Sequence, residues 1–544
     1  MQFYYHTKAW IKNQSRVYGA DRVYLYVAIA LICMAFVGLW SGMFVENEQG
    51  YVTQSANLWA DWVVHLSYTN VYVEWPLGKA LTESPLLHNE PFQYPPLPNL
   101  LSAILVALGI PITLAMVLTS LIANILTAVA AILLYRRLSI PTSLAIVGAV
   151  LFFFNGGLGW LHLLNGEESE LATNIAGKGI IIQNFVISEF VPQKAISTAA
   201  PFFLLYVFIL HGALADISQA LSSFKRVALT IALLTFLSAM VLLSSMHTFL
   251  CLIIVSVSYA LFHLKRLKWL IALLVAGAVI NGVIYFSYYG QNDTSGFIKW
   301  APLELANSSS LSPLAYFFWN YGLFVPLAII GMLTTRAYRN PLAIAGVLIF
   351  AIAHLMQFQP WIWDNSKLVT WGYCFLIVPI LFLFNRLSQK GYKQSLRDML
   401  VASLVFAGAY DIWQVARPSA PSYTLFTKKD IALAREFREL TNPESVTLIY
   451  SGHNNWVHAL AGRQVLNAFS GWMWSYGKDT EMLEARRDRL IQEGEPALRE
   501  EGIDYVVIDR RHRPKKDLGA LKDLPDLISD RRYLIKRVPQ GKSY

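Results

Sequence analysis

Charge is scarce in this chain. Asp, Glu, Lys and Arg make up 15% of its 544 residues against 55% hydrophobic residues, and the mean hydropathy is +0.43. One water-soluble core does not need so much apolar material, which excludes an ordinary soluble globule and points to a polytopic membrane protein. Cysteine is scarcer still: Cys33, Cys251 and Cys374 all fall inside apolar runs, so a disulfide framework is excluded. Gly-rich phosphate loops and zinc-ligand spacings are missing, which disfavours a nucleotide-sugar donor bound in the cytosol. Low-complexity tracts and internal repeats are missing too. The net charge of +9 comes mostly from basic residues flanking apolar runs and from a basic tail, and gives no argument for nucleic acid.

What is abundant is apolar runs of roughly 18 to 22 residues, the length that crosses bilayer hydrocarbon as a helix. They predict eleven transmembrane helices, near 24–44, 112–134, 140–155, 197–216, 227–246, 248–264, 268–288, 314–334, 341–358, 368–386 and 398–414. Lys8, Lys12, Arg16 and Arg22 precede the first, and pairs such as Arg136–Arg137, Lys225–Arg226 and Lys265–Arg266 recur at every second connection. The positive-inside rule makes those ends cytoplasmic and sends the alternate connections, with the C-terminal tail, to the other side. The expected location is a cell (inner) membrane, with a cytoplasmic N-terminus. The N-terminal apolar run is too long for a signal h-region and lacks a small-residue cleavage site, so it reads as an anchor. The apolar segment 97–110 would upset the alternation as a span and is expected as a short interfacial helix.

The reading divides the chain in two. Residues 1–417 form a membrane domain with a large first external loop, 45–111. From 418 charges mix with short apolar runs, so 418–544 is expected as an exported α/β domain, with strands over 446–450, 505–508 and 533–535 and a helix over 479–501.

Polar clusters in the exported connections are the candidates for chemistry. Asp61-Trp62-Val63-Val64-His65 places a carboxylate and an imidazole on one helix face, where they could deprotonate a hydroxyl or hold a cation; a capping Asp beside an interfacial His is the bland alternative. Tyr94-Pro95-Pro96-Leu97-Pro98 reads as a scaffolding turn. Pro192-Gln193-Lys194 sets a cation and an amide donor at the membrane boundary, suited to a lipid phosphate or to snorkelling. His247 lies where two apolar runs nearly meet, as a phosphate ligand or an interhelical hydrogen bond. Trp363-Asp364-Asn365-Ser366-Lys367 is denser in polar groups than an aromatic belt needs and suits sugar hydroxyls or phosphate, or else an Asp–Lys pair capping a helix. In the C-terminal domain, His453, Asn454 and Arg463 lie after a predicted buried strand, where α/β sheets commonly place ligands. All these clusters map to one side of the membrane by an independent charge criterion, as a shared cavity would require.

With its D-W-x-x-H, Y-x-P-L, P-Q-basic, W-D-N-x-K and H-N elements, the chain resembles the GT-C superfamily of integral-membrane glycosyltransferases, nearest to bacterial members. The resemblance implies a GT-C-like helical membrane fold and transfer of a hexose or pentose from a polyprenyl-phosphate-sugar donor, with inversion, to a lipid, glycan or protein acceptor. It implies Asp61 as catalytic base with His65 beside it. Gln193, Lys194, His247 and Lys367 would bind the donor phosphate, and Trp363, Asp364, Asn365, His453, Asn454 and Arg463 the sugar or acceptor. A divalent metal, Mg or Mn, is conceivable, but Asp61 lacks an acidic neighbour and a metal-free site is preferred. The alternative is a lipid or polysaccharide transporter, or a scaffold whose exported domain binds a partner. It would call for broken spans and inverted repeats, which the sequence does not suggest.

Overall fold

The computed structural model describes residues 19–89, 94–166, 169–215, 224–264, 267–290, 297–389, 394–450, 452–511 and 519–540. Lys8, Lys12, Arg16, Lys265 and Arg266 lie outside them.

Among the described residues, seven helices are long and apolar enough to cross a membrane: Val23–Trp40, Ile112–Arg137, Lys194–Leu214, Lys225–Leu242, Ile271–Tyr289, Ile362–Gln389 and Gln394–Ala416. The protein is a multi-pass membrane protein. Three other predicted spans are short helices: Thr142–Phe153, Met246–Phe262 and Pro341–Leu355, of 12, 17 and 15 residues. At 1.5 Å per residue they run roughly 18 to 26 Å, less than the ~30 Å of bilayer hydrocarbon. Their starts are fixed locally. Ser245 Oγ accepts from Thr248 N at 3.3 Å and Asn340 Oδ1 from Leu342 N at 2.9 Å, while Pro141 precedes Thr142.

The span expected over 314–334 is a correction of a different kind. It is two helices, Pro313–Tyr321 and Phe324–Thr334, meeting at 90°. Gly322 takes φ +57°, ψ −131° at the break, a conformation that glycine adopts without strain. The carbonyl of Trp319, which the next helical turn would otherwise use, accepts instead from Leu158 N at 2.9 Å. A broken helix therefore does exist in this chain.

The Ser366–Gln389 helix is the most enclosed, packed by Pro341–Leu355, Phe324–Thr334 and Thr142–Phe153. Leu97–Ala107 packs on the Ala56–Glu74 helix of the first loop.

The described residues also form ten short strands: β1 (Val45–Asn47), β2 (Gly50–Thr53), β3 (Lys299–Trp300), β4 (Met356–Gln357), β5 (Tyr423–Thr427), β6 (Val446–Ile449), β7 (Gln464–Val465), β8 (Tyr505–Asp509), β9 (Asp526–Ser529) and β10 (Tyr533–Arg537). The C-terminal sheet runs β7-β6-β8-β10-β9, with β6 parallel to β7 and β8 and the β8, β10 and β9 neighbours antiparallel. Val446, Leu448, Val506, Ile508 and Leu534 share an apolar core with Leu490 and Ile491 of the Thr480–Glu493 helix. The Lys428–Leu440 helix starts at a capping box between Thr427 and Asp430.

This domain is sewn to the first loop. β2 pairs antiparallel with β5, and Val465 N and Ala468 N donate to Pro85 O and Leu86 O at 3.1 and 2.8 Å. Asn70 Nδ2 donates to Ala459 O at 2.6 Å, Trp75 Nε1 to Gly462 O at 3.0 Å, and Ser67 Oγ lies 2.7 Å from His458 Nδ1. The seam holds the C-terminal domain against the first loop, with His453 stacked on Trp59 and Tyr476 edge-on to Tyr94.

Candidate active site

Between the first loop, the membrane helices and the C-terminal domain lies a cavity of about 690 Å³. Its polar wall starts with the Ala56–Glu74 helix, capped by Ser55 Oγ accepting from Leu58 N at 3.2 Å. Trp62 is fully buried on that helix, and its Nε1 donates to Val191 O and Pro192 O at 3.2 and 3.1 Å. That contact brings Gln193 beside Asp61, where Nε2 donates to Asp61 Oδ2 at 2.7 Å. The sequence pair Asp61 and Gln193 thus becomes one hydrogen-bonded unit lining the cavity. Burial pushes the Asp61 carboxyl up to about 7, with Asp364 adding to the shift and Lys367 and the Gln193 hydrogen bond opposing it.

His65 lines the same wall, with Nδ1 3.0 Å from Asn99 Oδ1 and its ring edge-on to Tyr94 at 5.7 Å. Burial, reinforced by the Lys194 charge, pushes it down to about 3, so the imidazole is neutral. As Asn99 Oδ1 can only accept, Nδ1 carries the proton and Nε2 keeps its lone pair.

Opposite runs a 3₁₀ turn, Ile362–Asn365, leading into Ser366–Gln389. Lys367 Nζ pairs with Asp364 Oδ1 at 2.7 Å, and both line the cavity with Trp363 and His247. From the C-terminal domain comes His453, stacked on Trp59 at 4.8 Å and 6°, and edge-on to Phe469 and Trp472. Burial lowers its pKa.

Four of the candidate residues are placed elsewhere. Lys194 is buried and absent from the cavity wall; Nζ donates to Met116 O, Thr119 Oγ1 and Ser120 Oγ at 3.1, 2.9 and 3.1 Å and lies 5.3 Å from the Trp62 ring centre. Its three protons are spent on the neighbouring helix, which corrects the expected contact with phosphate. Arg463, 1% exposed, is likewise consumed, by Thr441 Oγ1 and the carbonyls of Ala461, Arg438 and Thr441. Asn365 Nδ2 bonds Ala353 O and Met356 O, tying the 3₁₀ turn to the preceding helix. Asn454 spans His453 Nδ1 and Leu425 O. None of the four lines the cavity, and Asn454 alone bonds a residue that does, His453.

Among the cavity residues that the sequence did not single out for chemistry, two matter most. Tyr94, expected as scaffolding, is part of the lining. So is Glu189, 1% exposed, whose Oε1 accepts from Ser366 Oγ at 2.5 Å; burial pushes it up to about 7 against the pull of Lys367. The available signal was one acid inside the apolar run 185–191, a costly placement.

Among the described residues no three His, Cys, Asp or Glu side chains converge to hold a metal ion. Asp61 is engaged by Gln193 and Asp364 by Lys367.

The architecture matches that of a solved membrane enzyme. The arabinofuranosyltransferase AftD from Mycobacteria superposes with a TM-score of 0.52 at 15% identity, over 90% of this chain and 35% of that one. The fold is that of the GT-C glycosyltransferases. Two other structures align more loosely. They are the Archaeoglobus fulgidus oligosaccharyltransferase complexed with zinc and sulfate (TM-score 0.48, 12% identity, 89% of this chain and 68% of that one) and Cupriavidus metallidurans ArnT bound to undecaprenyl phosphate (0.47, 13%, 96% and 99%). No family model and no curated protein matches the sequence. The 90° break at Gly322 is not part of the cavity lining.

Proposed function

We propose that the protein is a glycosyltransferase that moves a sugar from a polyprenyl-phosphate-linked donor to an acceptor hydroxyl at the extracytoplasmic membrane face, with inversion. The observation that carries the reading is a desolvated carboxylate and a cation lining one cavity at the junction of membrane helices and an α/β domain: Asp61 on one wall and Lys367 on the other. In the reaction an acceptor oxygen attacks the anomeric carbon in line, its proton passes to Asp61, and the bond from carbon to phosphate oxygen breaks. Lys367 meets the charge gathering on the leaving lipid phosphate, with His247 beside it. In a water-poor cavity such a cation is worth on the order of 10² to 10³ in rate. Neutral His65 and the ring of His453 present hydrogen-bonding and stacking surfaces to the substrates. The GT-C fold supports the class of reaction; the sugar and the acceptor are set by the shape of the cavity.

The test is transfer of radiolabelled sugar from a panel of polyprenyl-phosphate sugars by purified protein in lipid. Asp61→Asn is expected to lower transfer by roughly 10² to 10⁴, and a chelator to leave the wild-type rate unchanged. Full activity in Asp61→Asn removes it as the base, chelator sensitivity reinstates a metal, and silence across the panel sinks the glycosyltransferase reading.

A further inference from the structure

The carboxyl of Glu189 is half used. Oε1 accepts from Ser366 Oγ at 2.5 Å, whereas Oε2, equally buried, has no hydrogen-bond partner among the described residues. A buried acceptor left unpaired costs free energy comparable to a lost hydrogen bond, and more when it is ionised. This one sits in the wall of a cavity rather than in packed core. What it lacks is a donor, and a ligand hydroxyl is a donor.

Its anchor says which ligand. Ser366 is the residue before Lys367, so the backbone that sets the phosphate-facing ammonium also sets Glu189 through Ser366 Oγ. On the reading proposed above, the donor sugar hangs from the phosphate by its anomeric carbon. The ring hydroxyls nearest that carbon must therefore fall close to any group fixed beside the lysine. Asp61 comes from a different helix and is itself engaged by Gln193. The two carboxylates are thus divided between two tasks by their anchors.

We infer that Glu189 is a specificity-determining residue whose free carboxylate oxygen accepts a hydrogen bond from a ring hydroxyl of the transferred sugar. The substrate class is then a polyprenyl-phosphate sugar with a hydroxyl close to its anomeric carbon, and sugars deoxygenated there are poor donors. A polar site rejects an analogue lacking the matching group because its own buried polar atom is left unpaired.

The experiment compares two polyprenyl-phosphate sugars that differ by that one hydroxyl, using wild type and Glu189→Gln. Glutamine keeps an oxygen for Ser366 and the same shape but no charge. Transfer (kcat/KM) and equilibrium donor binding are both measured, well above pH 7 where Glu189 is ionised. Wild type is expected to favour the hydroxylated donor roughly 10- to 100-fold, the worth of a hydrogen bond to a charged group. Glu189→Gln is expected to lose most of that preference, chiefly against the hydroxylated donor, and Ser366→Ala to lose part of it. An unchanged preference in Glu189→Gln, or equal losses on both donors, overturns the inference while leaving the transferase reading intact. Absence of transfer by wild type sinks that reading instead, and the binding comparison still decides the role of Glu189.

Discussion

Asp61 and Gln193 lie 132 residues apart and function as one unit, because the indole of Trp62 holds the backbone on which Gln193 sits. A carboxyl held near 7 is close to an ideal general base at neutral pH. The transfer rate should therefore rise with pH through about 7 as Asp61 loses its proton. Gln193 donates to the ionised form and stabilises it, so Gln193→Ala should move the rising limb of the pH–rate profile upward by about one unit. A limb that stays in place would show that the titration belongs to Glu189, which has a similar value. Lys194 should behave differently from both. Replacing it with Met leaves Thr119, Ser120 and the Met116 carbonyl without their donor, so Lys194→Met should cost about 1 to 3 kcal/mol of stability, read as a lower Tm, with little change in donor KM.

These residues show how far sequence goes at this scale. Asp61, His247, Asp364 and Lys367 were readable because an ionisable group beside an apolar run must be paid for by a partner or a function. Lys194 met the same criterion for the opposite reason: its partners are side chains and a carbonyl on the Ile112–Arg137 helix, and contacts between helices leave no trace in the spacing along either one. Glu189 was overlooked because it sits in a mostly apolar segment and its side-chain bond to Ser366 spans 177 residues.

At the scale of elements, composition located apolar helices but not their lengths or continuity: of the eleven expected spans, seven are helices long and apolar enough to cross a membrane and one is a bent pair. Hydropathy averages over a window, whereas a cap or a glycine acts at one position. The Asn340 and Ser245 caps set where two short helices begin, and Gly322 turns the apolar stretch Pro313–Thr334 into a right-angled pair of helices of 9 and 11 residues. Gly322→Ala should accordingly destabilise the protein by about 1 to 3 kcal/mol through backbone strain, with the Leu158 side chain 3.3 Å from the added methyl. Thermal unfolding in detergent would measure it, and an unchanged Tm would mean the bend rests on the Leu158 to Trp319 hydrogen bond instead. Within the C-terminal sheet the three predicted segments became β6, β8 and β10. β7 and β9 were not foreseen, since two and four residues carry too little periodicity to register.

For the whole molecule, the cavity depends on a seam that no local pattern announces. Asn70→Ala deletes the donor to Ala459 O and should raise amide exchange at Val465 and Ala468 together with residues 84–88, ahead of any change in the membrane helices. Exchange confined to the C-terminal domain would show that the seam is not a cooperative unit.

The same seam sets a schedule for synthesis. Ser67 and His458 are 391 residues apart, and β2 finds β5 only after every membrane helix has been made. At about 5 to 20 residues per second, the first loop waits roughly 20 to 80 s for its other half. Throughout that interval the strand edge of β2 and the indoles of Trp59 and Trp75 stand uncovered, so biogenesis of this protein calls for a holding chaperone on the side of the membrane where the loop emerges.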